Sequence, residues 1–397
     1  MKKFNIVGAF DRHNYGDILF PLIHSRFIKE NSNSDIEIQF FALSQSNLTD
    51  IGGVITSPLK ELLSSPSYKE DRLIMCGGDI LTVDWVNMIG HLSSRRFYFI
   101  LKVLKKILGS VPSNALVRMM YGQKNKYPYV LSNEDIKSKI FYTGVGGSGF
   151  GLSKNNYIDA IPAKLSSVDS ISVRENLTKN YLLEHGVECN LVPDTALIMS
   201  NMYSLYELES IDWKGKIQQT SQFNISKYIV FQAARHNVEH RLDIVEDEIR
   251  KVLQATGSSI LLLPIGRATG HEDHIVLEAL YKKLSADDLP VAIQNSEHVL
   301  HIMSSLAHAN SYIGTSLHGA ITAYSFGHKV CAFSTKEVKK LQEYLDAWLI
   351  GNDYYAAKGV DFSDGFISLC KQTYNIENLN SLNEQKNMVM EEMSKYL

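Results

Sequence analysis

Short apolar runs rich in Val, Ile, Leu and Phe recur along the chain, each closing near a glycine or a polar turn, with longer helical stretches between them. Residues 4–10, 37–43, 72–76, 139–145 and 170–173 read as buried strands of a first series. Residues 228–234, 259–265, 311–314 and 329–333 read as a second. Helix-period patterns lie at 17–30, 177–185 (closed by Gly186), 241–256, 270–284 and 317–326. Strands alternating with helices specify an α/β fold, a parallel sheet with helices on both faces. With 397 residues, the expectation is two doubly wound, Rossmann-like domains facing a cleft. Residues 1–205 form the first and 226–335 the second, with a polar linker at 202–226. Residues 336–397 form a helical tail that packs back on the first domain. Open α/β sheets hold ligands at the carboxyl ends of their strands, so the chemistry is sought there.

Composition narrows the class. A 45% hydrophobic, 21% charged chain excludes a disordered or fibrous protein. The formal charge of −3 speaks against nucleic acid as a partner. Cys76, Cys189, Cys331 and Cys370 are too scattered for a disulfide framework or a C-x-x-C metal site. The apolar run after Lys2 and Lys3 is short and broken by Asn5, so no signal peptide is read, and no apolar stretch reaches the roughly 20 residues of a membrane span. The expected location is the cytoplasm.

The charge is uneven. From Trp85 to Asn133 there is no Asp or Glu, and the segment carries +8, leaving −11 on the rest. Within residues 95–108, Phe97, Ile100, Leu101, Leu104 and Leu108 fall at helical spacing, with Lys102, Lys105 and Lys106 off that stripe. Such a helix reads either as a core-facing helix with a solvated basic side or as one lying on an anionic membrane surface. The second reading makes the protein peripheral on the inner face of the plasma membrane.

Three glycine turns follow strands of the first series. The first runs from Gly8 to Asp17 and includes Asn14 and Gly16; it matches neither a dinucleotide fingerprint nor a P-loop. Asn14, Gly16 and Asp17 read equally as ligand contacts and as a tight turn with Asp17 capping the next helix. The second turn is Gly77-Gly78-Asp79 and the third runs from Gly144 through Gly146 and Gly147 to Gly151. Together they suit a polar ligand lying along the first sheet, its oxygens met by backbone N–H groups. Arg174 follows the last strand. It reads as an ion pair with Glu175 or as a bidentate clamp for a carboxylate or phosphate.

The strands of the second series also end in polar residues. Arg235-His236-Asn237 follows the first, Gly266-Arg267 leads to His271-Glu272-Asp273-His274 after the second, and Thr315-Ser316-Leu317-His318 follows the third. Thr315 or Ser316 would cap the next helix and set His318 in its first turn. A histidine there is a candidate proton donor or acceptor; the alternative is an ordinary satisfied side chain. His271, Asp273 and His274 lack a recognised metal-ligand spacing, and no metal is expected.

Taken in order, Asn14-x-Gly16-Asp17, Gly77-Gly78-Asp79, Gly144-x-Gly146, Val173-Arg174-Glu175, Pro193-Asp194-x-Ala196 and Ser316-Leu317-His318-Gly319-Ala320 resemble the polysaccharide pyruvyl transferase family over roughly residues 5–335. The resemblance implies a two-domain fold similar to glycosyltransferases of the B type. It implies transfer of the enolpyruvyl group of phosphoenolpyruvate onto a sugar of a cell-surface polysaccharide or its precursor, forming a pyruvate ketal. The implied partners are phosphoenolpyruvate and a sugar acceptor, including a lipid-linked one, and no cofactor. Arg174 matches the family arginine that holds the anionic donor, and His318 the family histidine suited to acid/base chemistry. Many members carry Arg where this chain has Ser316, so Arg235, Arg267 and the nearby His271 become candidates for the donor's second charge. Asn14, Gly16, Asp17, Gly77, Gly78, Asp79, Gly146 and Gly147 remain as acceptor- or anion-binding candidates. Two other readings stand beside this one: a glycosyltransferase using a nucleotide sugar, and a non-catalytic glycan- or anion-binding homologue.

Overall fold

The computed structural model describes residues 2–32, 35–151, 157–268, 271–334, 339–373 and 375–397. The chain forms two compact units. Met1–His13, Asp17–Thr195 and Met388–Leu397 make the first, and Asn14–Gly16 with Ala196–Asn387 make the second.

The first unit is built on Lys2–Val7 (β1), Ile36–Ala42 (β2), Ser46–Asn47 (β3), Ile55–Pro58 (β4), Arg72–Cys76 (β5), Lys139–Val145 (β6), Ser170–Val173 (β7) and Asn190–Leu191 (β8). Their order is β3-β4-β2-β1-β5-β6-β7-β8, parallel except where β3 meets β4. From β1 the chain steps outward to β2, then returns to place β5 on the other side of β1. Strand order therefore reverses between β1 and β5. Val7, Leu73, Met75, Ile140, Tyr142 and Val173 belong to the apolar core, with Trp85, Val86 and Ile89 from the helix Trp85–His91. The end of the chain returns here. Tyr396 is fully buried with its hydroxyl 3.0 Å from His24 Nδ1, and Glu392 accepts from Ser170 Oγ and Asn190 Nδ2.

The second unit contains Ile217–Gln219 (β9), Tyr228–Gln232 (β10), Ser259–Leu262 (β11), Val291–Gln294 (β12), Ser311–Gly314 (β13), Lys329–Ala332 (β14) and Tyr354–Ala356 (β15). Their order is β15-β14-β13-β10-β11-β12-β9, parallel except at β9. Strands β10 to β13 are buried at every position; β10, β11 and β13 accordingly read as apolar runs rather than as alternation, whereas β12 is absent from the sequence expectation. The helix Leu242–Thr256 covers this sheet through Val245, Ile249 and Val252, and stops where Gly257 takes a left-handed φ of 57°. Strand order reverses here too, between β10 and β13.

Several boundaries differ from the sequence expectation. Residues 202–226 are not a linker: they hold the helix Leu205–Glu209 and the edge strand β9, and the chain leaves the first unit at Thr195. Residues 336–397 do not return to the first domain as a whole. Strand β15 extends the second sheet beside β14, and only Met388–Leu397 groups with the first unit. These pieces were missed because β9 and β15 are three residues long and carry no periodicity. The expected helix 270–284 is found as Asp273–Ala286; residues 269–270, and 335–338 of the tail, lie outside the described residues.

Candidate active site

In the first unit, the turns after β5, β6 and β7 lie side by side because those strands are neighbours in the sheet. The N–H of Gly146 donates to the carbonyl of Gly78 at 2.7 Å, and the N–H of Leu81 to the carbonyl of Gly146 at 3.1 Å. The next three amides also donate inward: Gly147 to Glu175 Oε1 at 2.8 Å, Ser148 to Asp79 Oδ1 at 2.9 Å and Gly149 to Thr82 Oγ1 at 3.0 Å. This corrects the expectation that Gly146 and Gly147 offer N–H groups to a ligand. The carbonyl of Gly78 and the carboxylate of Glu175 already take them. Asp79 and Glu175 thus shape the glycine turn.

Arg174 lies beneath it. Its guanidinium donates to Asp194 Oδ2 at 2.5 Å, with Glu175 Oε2 3.7 Å from Nε, and the residue is only 2% exposed. Burial alone would lower its pKa, but Asp194, Glu175 and Asp79 outweigh that and raise it. A Cβ at position 146 would sit 3.1 Å from Arg174 Nε, so glycine leaves room for the guanidinium. The sequence reading offered an ion pair with Glu175; the pairing is buried, and Arg174 also pairs with Asp194, from the Pro193-Asp194 motif.

In the second unit, β13, β10 and β11 are adjacent, so the segments after Gly314, Gln232 and Leu262 meet. Gln232 organises them. Its Oε1 accepts from Thr315 N at 3.0 Å, Thr315 Oγ1 at 3.2 Å and Tyr312 OH at 3.2 Å. Its Nε2 donates to Asp273 Oδ2 at 2.7 Å, and that oxygen also accepts from the N–H groups of Ile265 and Gly266. Asp273 is 1% exposed, and burial pushes its carboxyl pKa up against those hydrogen bonds. The sequence reading missed Gln232 and Tyr312, read Thr315 only as a capping candidate, and weighed Asp273 only as a metal ligand. The available signals were a polar residue closing an apolar strand and an acid opening a helix. Among the described residues, no group of three or more His, Cys, Asp or Glu could hold a metal ion.

Ser316 caps the helix Leu317–Ser325, its Oγ accepting from Gly319 N at 3.3 Å. Thr315, the other capping candidate, instead receives the N–H of Ala234 on its hydroxyl at 3.0 Å. His318 occupies the first turn, and its carbonyl accepts from Thr322 Oγ1 at 2.7 Å. Its imidazole lies against Gly16: a Cβ there would fall 2.0 Å from Nδ1. The three-residue segment is held to this unit at two further points. Asn14 forms an antiparallel bridge with Gly266, and Tyr15 OH is 3.0 Å from Thr322 Oγ1. Asp17 lies within the first turn of the helix Tyr15–Asn31, rather than capping it.

The other charged candidates differ in how well they are matched. Arg235 pairs with Glu239 at 2.8 Å and Glu272 at 3.3 Å. Arg267 pairs with Glu297 at 3.2 Å; its own side chain is 17% exposed, that of Glu297 46%. Nε of Arg267 is buried without a hydrogen-bond partner among the described residues. His271 packs on Gly266, and its carbonyl accepts the N–H of Arg235 at 3.1 Å.

The segment holding His318 and the glycine beneath it fall within residues 14–337, the span matched by the polysaccharide pyruvyl transferase family. The chain belongs to this family. Every motif from Asn14 to Ala320 quoted above lies in the matched span. No individual curated protein matches it in sequence. Among solved structures, the UDP-GlcNAc 2-epimerase from Methanocaldococcus jannaschii is similar with a TM-score of 0.54 at 15% identity, over 98% of both chains. The Neisseria meningitidis UDP-GlcNAc 2-epimerase bound to UDP-GlcNAc gives 0.51 at 14% identity over 100% of both chains. The UDP-N-acetylglucosamine 2-epimerase from Rickettsia bellii gives 0.52 at 12% identity, over 100% of this chain and 95% of that one. These likenesses establish the fold: this pyruvyl transferase family member is glycosyltransferase B-like, with two Rossmann-like sheets.

Proposed function

We propose that the protein transfers the enolpyruvyl group of phosphoenolpyruvate onto a sugar of a cell-surface polysaccharide or its precursor, closing a pyruvate ketal across two hydroxyls. The observation that supports this most is the setting of His318 in a chain of this family. It stands in the first turn of a Ser-capped helix, at a strand-order reversal, seated on Gly16. His318 is the general acid. Its proton goes to the methylene carbon of phosphoenolpyruvate, which leaves oxocarbenium character on the adjacent carbon. A sugar hydroxyl adds there and gives up its proton, restoring the acid. Inorganic phosphate then departs, carrying away the proton of the second hydroxyl as that hydroxyl closes the ring.

The donor's charge is met by Arg267, whose carboxylate partner is half-exposed and therefore cheap to displace. The Ser316 hydroxyl, which accepts from Gly319, retains its own proton to donate to an anion. It takes the place of the arginine carried by many relatives. Arg174 is a positioning residue, because Asp194 and Glu175 already match its charge under the Gly146 turn. The acceptor sugar is assigned to the strand ends beside the β1/β5 reversal, near Gly77 and Gly78.

The test is release of inorganic phosphate from phosphoenolpyruvate, dependent on a glycan acceptor that gains the mass of an enolpyruvyl group. His318→Ala should lower kcat by roughly 10²–10⁴. The outcome against the proposal is consumption of a nucleotide sugar with the same acceptors and no phosphate release from phosphoenolpyruvate.

A further inference from the structure

Between β5 and β6 the chain passes through three helices, Trp85–His91, Arg95–Leu108 and Ser110–Met120. The first is fixed in the core. Arg95–Leu108 is anchored by only two buried residues, Tyr98 and Leu101, and by an ion pair from Lys105 to Asp84, the N-cap of the first helix. The third is held by Val117, and by Asn114, whose Oδ1 accepts the N–H of Val86 at 3.0 Å.

This anchoring turns an apolar face outward. Phe99 is 67% exposed, Ile100 59% and Ile107 75%, with Val103 between them. In the next helix Met119 and Met120 are 71% and 61% exposed. The stripe expected from sequence divides: Leu101 turns inward, Ile100 and Leu108 outward. The helix is apolar on more than one side, and the Tyr98 and Lys105 contacts choose its rotation. At 3.6 residues per turn, Phe99, Val103 and Ile107 stack on one line with Ile100 beside it, and Arg95, Lys102 and Lys106 run along one flank.

We propose that this face docks on an anionic lipid bilayer, with Phe99, Ile100, Val103 and Ile107 entering the boundary between headgroups and acyl chains and the flanking cations meeting lipid phosphates. Charge selects this occupant. The segment from Trp85 to Asn133 has no acidic residue and carries +8. A second copy docked through the same face would set +8 against +8, which like-charge repulsion disfavours. The remaining −11 is repelled by an anionic membrane, so the basic face is the one presented to it. No helix among the described residues is long and apolar enough to cross a membrane, so contact through this face is interfacial. The surface is independent of the pyruvyl-transfer reading.

Flotation of the full-length protein with phosphatidylcholine vesicles, with and without about 30% anionic phosphatidylglycerol, tests it. Binding is expected only to the anionic vesicles and should weaken in high salt. Phe99→Ser with Ile107→Ser, or Lys102→Glu with Lys106→Glu, should each lower the bound-to-free ratio about tenfold or more. These side chains are exposed, so an unchanged thermal melt confirms that any loss is not unfolding. No flotation at low salt overturns the proposal. So does equal binding by the variants, or self-association that the Phe99 and Ile107 substitutions abolish while vesicles are never bound.

Discussion

The imidazole of His318 rests directly on Gly16, so close that a Cβ on residue 16 would lie 2.0 Å from Nδ1 and 2.5 Å from Cγ. Two motifs far apart in sequence, Asn14-x-Gly16-Asp17 and Ser316-Leu317-His318, are in this way one piece of structure. The requirement for glycine comes from the ring it supports, in addition to the turn it sits beside.

Gly16→Ala should therefore act on the histidine. The methyl group cannot fit without displacing the ring, and a misplacement near 1 Å of a reacting group can cost about 10²-fold in rate. We expect kcat for phosphate release to fall by roughly that factor, with KM for phosphoenolpyruvate changed far less. Overpacking should also cost about 1–3 kcal/mol in stability, measured by urea unfolding. An alanine variant with full kcat would mean that the ring position is irrelevant to turnover.

Arg174→Ala separates structure from binding. Removing the guanidinium takes the salt-bridge partner from the fully buried Asp194, and breaking a buried pair in this way costs about 3–5 kcal/mol. Denaturant midpoints should drop accordingly. Replacing both members, as in Arg174→Met with Asp194→Leu, should recover most of that loss. If Arg174→Ala melts like the parent and only the KM for phosphoenolpyruvate rises, the arginine is a donor ligand and the positioning role is wrong.

Arg267 and Arg235 should respond differently to the same change. Among the described residues Arg235 already pairs with two carboxylates, whereas Arg267 pairs with one half-exposed carboxylate. A charge-assisted hydrogen bond is worth about 1.5–3 kcal/mol, so Arg267→Ala should raise KM for phosphoenolpyruvate about 10- to 100-fold. Arg235→Ala should leave it within about threefold. Steady-state kinetics on the two variants decides, and the reverse order would move the donor site.

The alternation of strand and helix was legible because strands β10, β11 and β13 are buried at every position and leave apolar runs in the sequence, whereas the equally buried β12 was missed. The end of the helix Asn176–Glu184 was legible because Gly186 takes a left-handed φ just beyond it. Short edge strands such as β9 and β15 were not, since three residues show no period. Candidate residues were legible by position, as polar groups after strands. Their partners were not, because partnership depends on which strands become neighbours. The pairing of Arg174 with Asp194 follows from β7 lying beside β8, which ends three residues before Asp194. Likewise, Gln232 can reach both Thr315 and Asp273 only because β10 sits between β13 and β11.

The first unit should lose stability on mild acidification through His24. This residue is fully buried, with Nδ1 3.0 Å from Tyr396 OH and Nε2 without a hydrogen-bond partner among the described residues. Burial pushes its pKa down from the ordinary 6.5 to about 3. Between those two values the unfolded chain binds a proton that the folded chain excludes. The contribution is therefore complete above pH 6.5 and is lost as pH falls towards 3, at about 1.4 kcal/mol per pH unit. His24→Gln can keep the hydrogen bond to Tyr396 and does not titrate. Other groups that respond to acid are common to both proteins and cancel in the comparison. Unfolding free energies at pH 7.5 and 5.5 should thus differ by about 1.4 kcal/mol less in His24→Gln than in the parent. An identical difference in the two proteins would show that His24 takes up its proton without unfolding.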